Sequence, residues 1–554
     1  MKAFLSGFSS RLKDYLWILP ALGAGTAIRL IHLSYQIIGG DEMHTVRVAL
    51  QQPLEWILTH YVTTDNCIPL TAFYRVQMDL GIRFTEMTFR LPILVLGIVF
   101  LIIAPLVLKD KIGKRPAFFL SWLIAIAPLL VFYSRMVRPY MASVFLSFAA
   151  VMCFFGWLSS RKLPTGIAYA VLSALAIYFH LTTAPFVLAP LAYFLLEKGI
   201  RKERERREFI SFFVIAGLTA GIILLFLVPA LPSLIPFITE KTMESSFSLK
   251  TAGGFFHFFA GTPHRLLTAI FWIVAIGGFV KLVLKRSRFA LYSLFVSAIQ
   301  LAALLIVSPY GSLSPLIFSR YALPLLPFVL AWVALGLADP WWKGQRKTGA
   351  WIQAGAAIVF ITGLVLTGPL CTPQFYSSSF AHHTRHLNFH ESPAFMHGKD
   401  IPAFYEQLKG MPEGALIEYP WGWVWLRSNV LSVYQNRHRR DLIVSGVRFL
   451  SSDERIKFRN HVPMSPESFL SCRARYLIVH LDLFREEETV ISPQFKVPLF
   501  SDKSLRDRMR KMGTDMARQL RKLWGPPIYR DRFMRVWDLE QIRNQTKMKS
   551  RREF

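Results

Sequence analysis

Residues 89–115 read FRLPILVLGIVFLIIAPLVLKDKIGKR. Nothing charged lies between Arg90 and Lys109, and the run then ends in Lys109, Asp110, Lys111, Lys114 and Arg115. About 20 apolar residues suffice for a helix to cross the hydrocarbon core of a bilayer, so this stretch reads as a membrane span that ends in a basic loop.

Reading outward on the same criterion predicts eleven spans, near 15–37, 90–108, 117–133, 141–158, 166–180, 182–197, 209–230, 265–284, 289–307, 322–339 and 350–369. Basic clusters recur in every second link. Arg161 and Lys162 follow span four, KGIRKERERR (198–207) follows span six, KRSR (285–288) follows span eight, and Lys343, Arg346 and Lys347 follow span ten. That alternation is what a cytoplasmic N-terminus and the positive-inside rule require, and it places the residues after span eleven outside. Lys2, Arg11 and Lys13 precede the first run, as in a signal peptide. The run extends from Tyr15 to about Ile38, too long for a signal-peptide core, so an uncleaved first span is expected.

Composition agrees. The 554 residues are 53% apolar and 18% charged, where a soluble domain carries about 25% charge. A formal net charge of +29 in a soluble chain would suggest nucleic acid. No basic-aromatic recognition motif or zinc spacing accompanies it, so membrane lipids and not nucleic acid are the expected partners. Cys67, Cys153, Cys371 and Cys472 form no CxxC pair and no disulfide scaffold, although Cys371 and Cys472 could pair if both face an oxidising compartment.

Two outer segments are large. Residues 39–89 carry Asp41, Glu42, Glu55, Asp65, Asp79 and Glu86, with Pro53 and Pro69 separating short amphipathic helices. Residues 371–554 contain strand-like runs at 415–419 (ALIEY), 442–445, 476–481 (YLIVHL) and 533–539 (FMRVWDL). Helical patterns lie at 402–409 and 504–523. The expected architecture is a polytopic α-helical membrane domain, residues 1–370, followed by an extracytoplasmic α/β or α+β domain, residues 371–554.

Asp41 and Glu42 directly follow the first span. Acidic residues there either end the helix in solvent or meet a cation or a reacting group, and chemistry alone does not separate the two. Their surroundings are more specific: AIRLIHL (27–33), GGDEMHTVR (39–47), DNCIPLTAFY (65–74) with Tyr74, and Arg90-Leu91-Pro92. YSRMVRPY (133–140) ends span three and SRYALPLLP (319–327) opens span ten. In order and membrane side, these motifs resemble the GT-C glycosyltransferases, in particular the bacterial group similar to protein O-mannosyltransferases and the lipid A aminoarabinose transferase (glycosyltransferase family 39-like). The resemblance spans roughly residues 15–340.

It implies transfer of a sugar from a polyprenyl-phosphate donor to a lipid, glycan or protein acceptor on the outer face of the cell (inner) membrane. Such a displacement needs a carboxylate at the acceptor nucleophile and cations on the leaving phosphate. The resemblance then makes Asp41 the carboxylate, Glu42 its support and Asp65 a second acid. Arg135, Arg138, Tyr140, Arg320 and Tyr321 become candidates for the lipid phosphate or sugar, with His44 and His180 near them. Arginine suits a phosphate through its planar fork of donors, but it also anchors span ends at the interface. Arg29, inside span one, must pair or snorkel. Some relatives place an acid in the second outer loop; none lies between Tyr133 and Tyr140 here. No cofactor is required on this reading, and no metal-ligand spacing appears, which leaves a divalent metal open. The competing functions are a transporter or flippase of a lipid-linked sugar and a catalytically silent assembly subunit.

Overall fold

The computed structural model describes residues 15–31, 33, 41–61, 67–82, 86–201, 205–242, 249–307, 314–338, 347–371, 375, 401–420, 434, 465–472, 474–482 and 503–550. The expected strand at 442–445 and the carboxylate of Asp65 lie outside these residues, as does the side chain of Asp41.

Every regular element described up to residue 371 is helical. The order begins with α1 (Leu19–Leu30), α2 (Asp41–Gln51), α3 (Leu54–Thr59), α4 (Ile68–Asp79), α5 (Glu86–Ile112) and α6 (Lys114–Ile126). Next come α7 (Pro128–Ser134), α8 (Tyr140–Ser160), α9 (Leu163–Phe179), α10 (Ala184–Arg201), α11 (Arg206–Leu227) and α12 (Leu231–Thr242). The series closes with α13 (Leu249–Ala260), α14 (Arg265–Leu284), α15 (Arg288–Val307), α16 (Pro315–Tyr321), α17 (Leu326–Ala338) and α18 (Lys347–Thr367).

Six of these stretches are long and apolar enough to cross a membrane, and eight if each of two bent pairs counts as one span. The three other expected spans are the shorter apolar helices Leu16–Leu30, Leu163–Phe179 and Gln353–Thr367. Length and composition therefore establish a multi-span helical membrane protein; among the described residues six to eight helices meet the test for a full span, and the expected count of eleven is not confirmed.

The bent pairs are where structure departs from a plain count of spans. α6 and α7 meet at 56°, and α16 meets Leu323–Ala338 at 59°. Pro128 explains the first. It lacks the N–H that the carbonyl of Ile124 would receive in a continuous helix, and it pushes Ala127 into extended backbone at φ −63°, ψ 111°. Elsewhere small residues let helices touch. Gly278 of α14 and Gly336 of α17 form a reciprocal crossing, in which an added methyl on either would overlap a backbone carbonyl of the other helix, that of Trp332 or of Val274.

Beyond residue 400 a mixed four-stranded sheet appears, made of β1 (Ala415–Tyr419), β2 (Ala474–His480), β3 (Tyr529–Arg530) and β4 (Met534–Asp538). Its order is β1-β2-β4-β3, with β1 and β2 parallel and the other pairs antiparallel. The run YLIVHL is apolar at consecutive positions because both faces of the sheet are covered. Tyr476 and Ile478 pack with Phe404 and Leu408 of the segment around α19 (Ala403–Gln407). Leu477 and Val479 pack on the opposite face with Phe469 of α20 (Pro466–Ser471), Leu520 of α21 (Lys503–Trp524) and Ile542 of α22 (Leu539–Ser550). Inside the first core the buried Glu418 carboxylate accepts a hydrogen bond from the Tyr405 hydroxyl at 3.1 Å and lies 2.6 Å from His480 Nε2. All four cysteines are free thiols.

Candidate active site

Helix α1 is held by arginines at its C-terminal end. Arg29, fully buried, donates from Nη2 to the Ile124 carbonyl (3.4 Å) and from Nη1 to that of Ala125 (3.2 Å). These are the acceptors at the C-terminal end of α6, and Ile124 is the one that Pro128 leaves without a donor. Arg29 Nε also reaches Ser134 Oγ at 3.2 Å. An intramembrane charge is thus satisfied by broken-helix carbonyls, as a low-dielectric surrounding demands. Arg135 returns the arrangement: its Nη1 donates to the carbonyl of Arg29 at 2.7 Å and to that of Ile28 at 3.5 Å. It caps the negative end of α1's dipole.

Glu42 anchors the start of α2. Its carboxylate receives Arg90 Nη2 at 2.9 Å and Nε at 3.3 Å, and also the backbone N–H of Val137 at 2.8 Å. Both partners of the ion pair are fully buried. Next to them the buried Tyr74 hydroxyl donates to the carbonyl of Phe89, fixing α4 to the start of α5. The motifs at 41–42, 68–74, 90–92 and 133–140 therefore form one knot.

Past the knot, five of the expected site residues come together from three distant stretches. Arg320 stacks over the Tyr140 ring at 4.8 Å and over its neighbour Tyr321 at 5.2 Å. Arg138 lies 5.9 Å from the same Tyr140 ring, and its Nη1 donates to Thr45 Oγ1 of α2 at 3.3 Å. The His180 ring stands 5.4 Å from Tyr140 and 5.8 Å from Tyr321, within electrostatic reach of both guanidinium groups. Thr182 Oγ1 holds His180 Nδ1 at 2.7 Å, while the buried Nε2 has no partner among the described residues. Two guanidinium groups and an imidazole edge thus converge on one tyrosine, an arrangement chemically able to receive an anion.

The remaining candidates fall as follows. His44 is half-buried on α2, and Asp41 opens that helix one turn before Thr45. Among the described residues no group of three or more His, Cys, Asp or Glu is placed to hold a metal ion.

Sequence reasoning missed Gln300. Its Nε2 donates to the carbonyls of Thr182 (2.9 Å) and Tyr321 (3.2 Å), tying the His180 link to the second helix break. The signal was present: a single amide in a mostly apolar stretch of the sequence, which the structure buries fully. Thr45 carried no signal beyond its place three residues after Glu42.

No family model matches the chain, and neither does any curated protein. Among solved structures the chain is similar to ArnT from Cupriavidus metallidurans in the apo state, at 12% identity and a TM-score of 0.46, over 94% of this chain and 97% of that one. The same enzyme bound to undecaprenyl phosphate matches at 14% identity and a TM-score of 0.45, over 79% and 77%. The apo oligosaccharyltransferase of Archaeoglobus fulgidus matches at 11% identity and a TM-score of 0.45, over 85% of this chain and 70% of that one. Identity is low in each case, and every TM-score lies below 0.5. The likeness is one of chain path; the functional reading rests on the residues.

Proposed function

We propose that this protein is a glycosyltransferase that moves a sugar from a polyprenyl-phosphate carrier to a lipid, glycan or protein acceptor at the outer face of the cytoplasmic membrane. The carrying observation is the convergence of Arg138, Arg320 and His180 around Tyr140, at the foot of the helix that Asp41 opens. A polyprenyl tail stays in lipid, so its phosphate stays near the interface. Cations on loops at the span ends meet it at that depth.

In this reading Arg138 and Arg320 hold the carrier phosphate and stabilise the charge that grows on it as the glycosidic bond breaks. His180 Nε2 adds a donor to a phosphate oxygen or a sugar hydroxyl. Asp41 orients the acceptor nucleophile and takes its proton, with Asp65 of the same outer loop as a second acid. Glu42 and Arg135 position: one ties the loop to Arg90 and Val137, the other closes α1. The N-terminus is cytoplasmic, and residues 371–554 form an extracytoplasmic domain.

The two bent helix pairs favour one second reading. Broken helices near the membrane recur in transporters, so the same anion site would suit a flippase of a lipid-linked sugar. Mass spectrometry of envelope glycans and carrier lipids, with and without the protein, combined with chemical labelling of the donor from the outer face, separates the two. Loss of a transferase leaves the acceptor unmodified and the donor accumulating on the outer leaflet. A donor accumulating on the inner leaflet overturns the enzyme reading.

A further inference from the structure

The sheet beyond residue 400 bears a second cationic site, remote in sequence from the first. A cleft of about 630 Å³ lies between the last turns of α21 and the β3–β4 hairpin. Arg518, Arg521, Arg530 and Arg535 line it together with Tyr529 and Trp537, and among the described residues no acidic one lines it. Arg518 and Arg521 are three positions apart on one helix and share a face. Arg530 and Arg535 are direct cross-strand partners in the β3–β4 ladder. Like charges set opposite each other destabilise a strand pair.

Local structure does not neutralise them. The side chains of Arg521 and Arg530 have no hydrogen bond or ion pair among the described residues. Arg518 reaches only the exposed Asp515, at 3.4 Å. Arg535 is turned onto backbone carbonyls of its own hairpin, including Met534 at 2.8 Å. The nearby Asp531 carboxylate is occupied by the backbone N–H groups of Phe533 and Met534 and by the Tyr529 hydroxyl, at 2.7–2.9 Å. Burial, with that hydrogen bond, pushes Tyr529 up to about 12, so it stays neutral. A cation in the last turn of a helix complements the helix dipole, and a charge on an edge strand blocks aggregation. Each accounts for one arginine, and neither accounts for four around one cleft.

We propose that this cleft binds a phosphate-bearing anion up to the size of a phosphorylated sugar. The bridging anion relieves the Arg530–Arg535 repulsion and engages the two unpaired guanidinium forks. The phosphate belongs either to a soluble sugar phosphate or to a lipid headgroup.

The test uses the full-length protein in nanodiscs of zwitterionic lipid, titrated calorimetrically with pyrophosphate and with glucose 6-phosphate. Binding should weaken by about tenfold or more in R521Q/R530Q and in R521E/R530E, through loss of two charge-assisted contacts. It should persist in K511E/K522E, a charge-matched control on exposed residues outside the cleft. Repeating the titration in nanodiscs containing phosphatidylglycerol identifies the source: competition marks a headgroup, and unchanged affinity marks a soluble phosphate. Wild-type affinity in R521Q/R530Q, equal loss in the control, or no binding of either probe overturns the proposal. None of these results depends on the transfer reaction, so failure here leaves the proposed function standing.

Discussion

Arg90 grips both oxygens of the Glu42 carboxylate inside the protein, with no exposed surface on either side chain. The pair joins the helix after the first span to the start of the second. Through Val137 it also sets the height of the loop that carries Arg138. A buried pair of this kind is costly to break from one side, because the surviving charge keeps its desolvation penalty.

Removing one partner, as in Glu42→Gln or Arg90→Met, should therefore destabilise the protein by about 3–5 kcal/mol. The double variant should cost less than the sum of the two. Thermal unfolding of the four proteins in one detergent completes the cycle; additive effects would show that the pair is not coupled.

Arg138→Ala and Arg320→Ala should each weaken carrier binding by about tenfold or more, the loss of one hydrogen bond to a charged group. Arg320→Lys should recover only part of it, since lysine offers a point charge without the planar fork and stacks less well on Tyr140. KM for the lipid-linked donor is the readout. A normal KM in both alanine variants would remove the phosphate from this cluster.

Asp41→Asn should lower turnover by about 10²–10⁴-fold while leaving carrier affinity nearly intact, because a general base acts on the acceptor and not on the lipid. Single-turnover transfer, paired with equilibrium binding of the carrier, reads the two separately. Normal turnover would exclude Asp41 as the base.

Gly278→Ala should destabilise the membrane domain by about 1–3 kcal/mol, since its methyl overlaps the Trp332 carbonyl where α14 crosses α17. Gly23→Ala should be tolerated, as open space surrounds that position in α1. Melting temperatures of the two variants make the comparison. Equal effects would mean that the α14–α17 crossing yields without cost.

In a cysteine-less background, a cysteine at position 204 should label only from the cytoplasmic side and one at position 60 only from outside. The basic link 198–207 and the acidic loop 39–89 set that expectation. Outside labelling at 204 would invert the topology.

Apolar runs, and with them most helix positions, were legible in the sequence, because transfer into lipid is decided residue by residue over a short window. Arg265–Leu284 was expected at those same bounds, and β1 likewise at Ala415–Tyr419. The order of the outer motifs was legible too. What the arginines do was not. Arg29, Arg90, Arg135, Arg138 and Arg320 look alike in a string, and each acquires its role from what it meets. Arg29 and Arg135 are engaged by helix-end carbonyls, and Arg90 by Glu42. Arg138 and Arg320 meet over one tyrosine although 182 positions separate them (320 − 138). The expected span 117–133 ran through Pro128, and nothing in the string showed that the helix would break there or that an arginine from another span would supply the missing donor. Hydrophobicity is a local property. Partnership between charges in a low-dielectric interior is made only when distant segments pack.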